Sequence, residues 1–299
     1  MLQFVLEFFS LITIGSPFLY YLGLFFTGLF FGSFFKVIVD RSASLYDEEY
    51  HLKNKNNRKH NHSWIKGRSC CDHCQQQLAW YDNIPLFSYL LLGGRCRSCK
   101  QPVGISYPLY ELFTGLLFVL SGYISLNSWI VIADNPLVNL LFVLITCSIL
   151  WLIFLFDLKY MIIPDELVIL TAFFGLIKVF YNWQNSLKLF DIYDLVVATC
   201  LLLLFILLRY LPVLISNKYG MGLGDIKLIF PLAFLLGYQR AAVAVFCAFI
   251  LGGVWGIILL INKKVQFGQV LSFGPFLVIG SLASLIWGLD VWRMYWQLL

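Results

Sequence analysis

The sequence predicts an all-α polytopic membrane protein of about eight transmembrane helices, with one small polar insertion between the first and second spans. Hydrophobic residues make up 60% of the chain and charged residues only 12%, well below the roughly 25% charged residues of soluble domains. A helix needs ~20 mostly apolar residues to cross the hydrocarbon layer, so the 299 residues can supply that number of spans. The one long polar segment, 41–105, is the predicted insertion.

The first span is predicted from about Pro17 to Val39, within an N-terminal transmembrane segment of residues 1–40. Gly28 and Gly32 are four residues apart, a spacing that allows two helices to approach closely. We therefore interpret these glycines as helix-packing residues. The segment has no basic residue before Lys36, which is the wrong flank for a cleavable signal peptide, so we expect this span to remain in the mature protein.

The insertion is strongly basic, since it holds ten of the 21 Lys and Arg residues. Basic residues concentrate on the cytoplasmic side of membrane proteins, so we expect segment 41–105 of this multi-pass membrane protein to be cytosolic. The short loops agree with this orientation if eight spans alternate, through Lys159, Lys218, Lys263 and Lys264. We interpret the run from Lys53 to Lys59 as a solvated loop and expect no nucleic-acid partner.

The remaining chain, 106–299, is predicted to be the transmembrane core. Its spans are expected near 108–126, 137–157, 166–182, 192–214, 226–237, 241–261 and 269–289. The span at 226–237 is short and ends at a glycine. Short and interrupted membrane segments tend to line sites in polytopic proteins, so this part of the core is a candidate site region.

Five of the eight cysteines lie in the insertion. Cys71 and Cys74 form one C-x-x-C pair, and Cys96 and Cys99 form a second. Two such pairs can surround one tetrahedral ion with thiolates, and Zn²⁺ is the usual occupant. Four cysteine ligands leave no open position, so the predicted zinc site is structural. A redox dithiol is the alternative for one pair, and the spare potential ligands are Cys70 and His73.

A glycine-rich stretch, Gly220 to Lys227, interrupts the apolar core and carries Asp225. Asp157, at the end of an earlier apolar run, is the best partner carboxylate, because ionisable groups at membrane segments are candidate functional groups. With the predicted orientation, both aspartates fall on the cytoplasmic side. The ordinary alternatives are a helix N-cap for Asp225 and an interfacial charge for Asp157.

Together these residues resemble the type IV prepilin peptidase family, which comprises bacterial leader peptidases and N-methyltransferases. The similarity covers most of the chain, and the order and spacing of its motifs are more specific than any one of them. The motifs are Gly32-Ser33-Phe34, the two cysteine pairs, Asn83-Ile84-Pro85, Gly94-Arg95-Cys96, Tyr107-Pro108-Leu109-Tyr110-Glu111-Leu112, Phe156-Asp157-Leu158, Ile163-Pro164-Asp165, Gly222-Leu223-Gly224-Asp225-Ile226-Lys227 and Phe273-Gly274-Pro275-Phe276.

The resemblance implies an aspartic membrane protease of the G-x-G-D class, with Asp157 and Asp225 as its catalytic dyad. Its substrates would be type IV prepilins or type II secretion pseudopilins, whose basic leader is cut at the cytoplasmic membrane face. It also implies methylation of the new N-terminus with S-adenosylmethionine, for which the sequence places no site. Asp165 matches a family position, but beside Pro164 it has the pattern of a helix start, and we do not assign it to catalysis.

Three positions depart from the family pattern: Lys36, Asp72 and Gly93. They motivate an alternative reading, a peptidase without methyltransferase activity. A different class of protein also remains open, a non-enzymatic transporter or assembly scaffold that uses the same aspartates for ions. The chain contains no H-E-x-x-H zincin motif and no G-x-S-x-G serine hydrolase motif. We expect the loop glycines Gly220, Gly222 and Gly224 to let a substrate backbone approach Asp225.

Overall fold

The computed structural model describes residues 16–42, 69–71, 73–127, 135–186, 192–216, 220–262 and 272–298. Within these ranges the chain is helical, and the only β contacts are two isolated bridges, Cys70 with Gln77 and Arg95 with Pro102. The α-helices are α1 (Pro17–Arg41), α2 (Phe87–Leu91), α3 (Ser106–Asn127), α4 (Pro136–Tyr160), α5 (Asp165–Ser186), α6 (Ile192–Ser216), α7 (Leu223–Leu236), α8 (Tyr238–Ile261) and α9 (Gly274–Leu298).

Eight of these helices correspond one to one with the predicted spans, and within the described residues six of the eight are long and apolar enough to cross a membrane. The other two are α5 and α7. Helix α7 has 14 residues, which extend only ~21 Å at 1.5 Å per residue. Helix α5 has 22 residues, of which the structure describes the side chains of residues 165–181. The all-helical fold is therefore confirmed, with a span count close to the prediction.

Some predicted boundaries were wrong by several residues. The last span was expected to end near 289, but α9 continues to Leu298. Its final part carries Asp290 and Arg293, which made the apolar pattern stop early. Those charges are exposed, so the helix continues through them without burying a charge.

The chain divides into two compact units, residues 1–123 and 124–299. In the first unit, α1 contacts α3 backbone to backbone. A Cβ at Gly28 would lie 2.8 Å from the Cα of Gly115, and one at Gly32 would lie 2.7 Å from the Cα of Glu111. The prediction that these glycines serve helix packing is confirmed. The predicted domain boundaries at residues 40 and 105 stay predictions.

In the second unit, α8 and α9 form the most extensive helix pair, and α7 packs against both α5 and α6. Gly280 of α9 lies directly against the carbonyl oxygen of Ala244, which brings α8 and α9 into backbone contact. The core of this unit is aliphatic and fully buried, as at Leu150, Leu232 and Leu277. Because buried side chains of this kind surround the short α7, its N-terminal turn is held among the longer helices.

Candidate active site and metal centre

Asp157 lies in the last turn of α4, just before the helix ends at Met161 in a left-handed conformation. Its carboxylate is buried, with 5% of the residue exposed. The Ser272 hydroxyl donates a hydrogen bond to Oδ2, and the backbone N–H of Gly274 donates another. Gly274 is the first residue of α9. The carboxylate therefore sits at the positive end of a helix dipole, which favours an anion.

Asp225 is the third residue of α7, whose N-cap is Gly222. It is also 5% exposed, and the backbone N–H of Gly222 donates to its carboxylate. A side chain at this helix position commonly reaches back to the N-cap N–H. The alternative in which Asp225 is itself the N-cap was wrong, because the N-cap is Gly222, three residues earlier.

The two carboxylates are close enough to interact electrostatically. Both come from helix ends, Asp157 from the C-terminal end of α4 and Asp225 from the N-terminal end of α7. Two like charges that are both buried cannot both ionise easily. The structure therefore brings together the two aspartates that the sequence had singled out 68 residues apart, and their surroundings favour a pair that holds one proton.

The loop glycines are packed against the protein itself. A Cβ at Gly220 would lie 2.6 Å from the carbonyl oxygen of Leu208, and one at Gly224 would lie 3.1 Å from the Cβ of Ile163. A Cβ at Gly222 would lie 3.1 Å from Oδ2 of Asp225. Gly220 and Gly224 therefore allow the loop to fit against α6 and against Ile163, just before α5. The expectation that the loop glycines let a substrate backbone approach Asp225 stays a prediction.

Asp165 is the first residue of α5, as its helix-start pattern predicted. Its carboxylate is exposed and accepts from Lys227 Nζ at 2.8 Å. Lys227 lies two residues after Asp225, so this ion pair joins the start of α5 to the start of α7. Its contacts are those of a surface ion pair.

The four cysteines of the two C-x-x-C pairs form one cluster. Their sulfur atoms all lie within 4.8 Å of one another, and the Sγ atoms of Cys71 and Cys99 are 3.8 Å apart. Four sulfurs at this separation could hold a tetrahedral metal ion. Cys70 and His73, the spare potential ligands, are not part of the cluster.

The two knuckles have the same backbone geometry. Gln75 N–H donates to the Cys71 carbonyl and Lys100 N–H to the Cys96 carbonyl, at 2.9 and 3.1 Å. Gln75 and Lys100 have positive φ values of 57° and 59°. The backbone N–H groups of Cys99 and Ser98 point to the Cys96 sulfur and lower the pKa of that thiol to about 6. Metals bind the thiolate, so this turn prepares Cys96 as a ligand.

A cavity of about 530 Å³ lies in the first unit, between α1, the knuckles and the start of α3. Four of the sequence motifs of this unit contribute to its lining. Their lining residues are Ser33, Asn83, Arg95, Cys96, Tyr107, Pro108 and Glu111. A volume of this size is typical of sites for small molecules and cofactors. Sequence motifs of the first unit therefore converge on one cavity.

Glu111 is the carboxylate in this cavity that sequence reasoning left without a role. It accepts a hydrogen bond from Leu86 N–H at 2.8 Å and another from the Ser33 hydroxyl. The other two lining carboxylates are in ion pairs, Asp40 with Lys36 and Asp82 with Arg97. The sequence did contain a signal for Glu111, because a carboxylate in the first turns of a membrane span is a candidate functional group.

Lys36, one of the departures from the family pattern, is buried beside the cavity. Its ammonium pairs with Asp40 and lies 4.2 Å from the centre of the Tyr107 ring and 5.3 Å from that of Tyr110. Cation–π contacts of this kind stabilise a desolvated ammonium. The lysine is therefore accommodated without displacing Ser33 or Glu111 from the cavity.

Comparison with known proteins agrees with this arrangement. A family profile described as Bacterial Peptidase A24 N-terminal domain matches residues 26–124, and one described as Type IV leader peptidase family matches residues 144–257. No solved structure matches the chain.

Three similar proteins share the name prepilin leader peptidase/N-methyltransferase. The chain is 30% identical to that of Aeromonas hydrophila, over 94% of this chain and 95% of the relative. It is 30% identical to that of Pseudomonas aeruginosa, over 90% and 91%, and 31% identical to that of Legionella pneumophila, over 94% and 96%. The similarity spans nearly the whole of each relative, and so the chain belongs to the type IV leader peptidase family.

Proposed function

We propose that this protein removes the leader peptide from type IV prepilins or pseudopilins, with Asp157 and Asp225 as its catalytic residues. The observation that carries the proposal is that both carboxylates are buried at helix ends and lie within range of electrostatic interaction. Aspartic proteases use a carboxylate pair of this kind, because the shared proton provides a base and an acid at the same pH.

The reaction needs one ionised and one protonated carboxyl group. The ionised member takes a proton from a water molecule, and the water oxygen attacks the scissile carbonyl carbon. The protonated member donates to the carbonyl oxygen, and the C–N bond then breaks as the leaving amine is protonated. Since the pair titrates as a unit, neither aspartate is assigned a separate role. Ser272 and the Gly274 N–H hold the Asp157 carboxylate in place.

We place the protein in a bacterial inner membrane, with the insertion and the aspartates on the cytoplasmic side. The support is the excess of basic residues in segment 41–105 and in the short loops of the same side, since basic residues concentrate on the cytoplasmic side. A prepilin leader is basic and precedes a hydrophobic helix, so it would meet the dyad at this membrane face. The transporter alternative finds less support, because Asp157 and Asp225 lie at helix ends and transporter sites lie near the bilayer midplane.

We propose Zn²⁺ as the ion of the cysteine cluster, with Cys71, Cys74, Cys96 and Cys99 as its ligands. Four thiolates suit zinc, and they close its coordination shell. The role is structural, because the insertion has little apolar core of its own and metal binding supplies folding free energy.

The cavity of the first unit suits the methyl donor. S-adenosylmethionine, when bound, supplies an electrophilic methyl group. Arg95 lines the cavity and could pair with the donor's carboxylate, while Glu111 is the lining carboxylate that is not in an ion pair with a described residue. The cationic end of the donor needs such an anion. These residues fit the group, and they favour the bifunctional enzyme over the peptidase without methyl transfer.

The peptidase assignment is tested with a model prepilin and purified protein in lipid vesicles. Asp157→Asn and Asp225→Asn should each abolish cleavage while the protein remains folded by circular dichroism. Asp165→Asn is the matched control, because it removes the same charge beside the site from an exposed position. Cleavage that survives in either dyad variant would exclude this dyad.

The methyl-donor site is tested by binding. Calorimetry with S-adenosylmethionine should show at least about tenfold weaker binding for Glu111→Gln and Arg95→Gln, the effect of one lost charged contact. Lys100→Gln, in the same insertion but not lining the cavity, should bind as the wild type does. Unchanged binding in both cavity variants would remove the cavity from methyl transfer and leave the peptidase assignment intact.

A further inference from the structure

A second group of buried charges lies in unit 124–299, at the end away from the aspartates. Lys178 of α5 belongs to this group. Asp165, at the start of the same helix, instead pairs with Lys227 beside the candidate active site. At 1.5 Å per residue, the two positions on α5 are ~20 Å apart. Gly237, which follows the last residue of α7, lies at this same far end. The proposed chemistry of the protein makes no use of these charges.

The group contains two cations and one carboxylate among the residues that the structure describes. Lys178 and Arg240 are each only 8% exposed. Lys178 Nζ donates to the Phe234 carbonyl oxygen at 3.3 Å and interacts electrostatically with both Asp194 and Arg240. Asp194 Oδ1 accepts from the Tyr238 N–H at 2.6 Å. The single carboxylate leaves an excess of positive charge in a buried place.

The backbone keeps space for both cations. Gly237 has a φ of +83°, and a Cβ there would lie 2.8 Å from Lys178 Nζ. A Cβ at Gly288 of α9 would lie 3.1 Å from the Cγ of Arg240. Side chains at these two positions would push the ammonium or the guanidinium out of the group, so the glycines hold the charges inward.

Arg240 has a buried donor atom, Nε, without a hydrogen-bond partner among the described residues. Taking an unpaired guanidinium out of water costs several kcal/mol (order of magnitude) unless an anion or acceptor compensates. Charged residues within membrane proteins are therefore functional candidates by default, each with a partner to be identified.

Aromatic side chains continue from the group along the same end of the unit. Tyr238 packs against Tyr193 and Trp292, with ring centres 5.7 and 5.9 Å apart, and Trp292 packs against Trp296 at 5.8 Å. Tyr193 and Trp296 are exposed. Tyr and Trp concentrate at the headgroup level of membranes, which places the charges at the depth where phosphate groups are found.

We propose that Lys178 and Arg240 bind a phosphate group at this end of the protein, supplied by an anionic phospholipid. A guanidinium presents two parallel N–H donors that match two phosphate oxygens, and Nε is one of the donors of that fork. The ammonium adds a second positive charge, and the phosphate neutralises the excess. Free inorganic phosphate has the same chemistry, and the experiment separates the two sources.

The experiment uses the full-length protein in a maltoside detergent that contains no phosphate. Thermal unfolding and native mass spectrometry are recorded after addition of phosphatidylglycerol, of diacylglycerol with the same acyl chains, or of inorganic phosphate. The variants are Arg240→Gln, Lys178→Met and, as the control, Arg293→Gln, which removes a charge from the exposed end of α9. Asp191→Asn is a second control. Asp191 is an acidic residue that precedes α6 and lies outside the described residues, and a carboxylate is not expected to bind a phosphate group.

Phosphatidylglycerol should raise the unfolding temperature of the wild type and of Arg293→Gln and remain bound in the mass spectrometer, while diacylglycerol should do neither. Arg240→Gln and Lys178→Met should weaken the lipid's binding at least about tenfold, the effect of losing a charged hydrogen bond. The same response to inorganic phosphate would support a phosphate site and reject the lipid as its source. Two outcomes would overturn the proposal. One is an equal response in all variants, and the other is that Asp191→Asn abolishes the wild-type response as fully as Arg240→Gln does.

Discussion

Gly274 lies against the Asp157 carboxylate so closely that a Cβ on Gly274 would overlap with Oδ2. The same glycine donates its backbone N–H to that carboxylate and begins α9. Gly274 thus provides a hydrogen-bond donor and the N-terminus of a helix, and its lack of a side chain leaves room for the carboxylate. This contact determines where the Asp157 carboxylate can lie.

We predict that Gly274→Ala reduces prepilin cleavage by about 100-fold or more, since a displacement of about 1 Å in a catalytic group has effects of this size. The added methyl group must move the carboxylate away from its donors. The measurement is the initial rate of cleavage of a model prepilin. Gly253→Ala is the matched control, because no atom lies within 4 Å of a Cβ at that helical position; cleavage at the wild-type rate by Gly274→Ala would contradict the prediction.

The ion pair between Asp165 and Lys227 is predicted to contribute at most about 1 kcal/mol to stability, as is typical of exposed pairs. Both side chains are more than half exposed. Asp165→Asn, Lys227→Met and the double variant should therefore unfold close to the wild type, and each should retain most of the cleavage activity. A double-mutant cycle in thermal unfolding measures the coupling. If Asp165→Asn were as inactive as Asp157→Asn, Asp165 would have to be placed within the catalytic machinery.

The cysteine cluster is predicted to bind one zinc ion per chain. Cys71→Ser and Cys96→Ser should each lose the metal and destabilise the insertion, because the site supplies folding free energy that the small core does not. Elemental analysis of purified protein measures the metal content. Cys70→Ser is the control, since Cys70 precedes the first ligand but lies outside the cluster; loss of metal in that variant would show that the ligand set is different.

Gly32→Ala is predicted to destabilise the first unit by about 1–3 kcal/mol, the range for overpacking. The new methyl group would lie 2.7 Å from the backbone of Glu111 in α3. Gly23→Ala, in the same helix, has nothing within 4 Å of its Cβ and should be neutral. Thermal unfolding of the two variants side by side tests the close contact of α1 and α3, and equal melting temperatures would argue against it.

Local sequence patterns determined much of the architecture. Apolar runs of sufficient length predicted the helices, since crossing hydrocarbon requires every backbone group to be satisfied within a helix. The C-x-x-C spacing predicted both knuckles, because each pair of ligands is contributed by a single turn. The carboxylates at Asp157 and Asp225 were also recognisable, as rare ionisable groups at the ends of apolar segments.

Helix ends were predicted less well, because they depend on what surrounds the last turns. The apolar pattern placed the end of the last span near 289, whereas exposure of Asp290 and Arg293 lets α9 continue to Leu298. Similarly, Asp225 has the residue type of an N-cap, but Gly222 occupies that position. Several residue types suit each end of a helix, and packing selects among them.

The sequence by itself identified the candidate residues for chemistry, and only the tertiary structure decided what each of them contacts. Ser272 and Gly274 are more than 100 residues from the aspartate they contact, and no spacing rule links them. Gly220 and Gly224 serve contacts with α6 and with Ile163, and Arg240 of α8 interacts electrostatically with Lys178 of α5. The physical reason is that periodicity and motif spacing report on one segment at a time, whereas burial and charge pairing depend on segments that meet only when the helices pack.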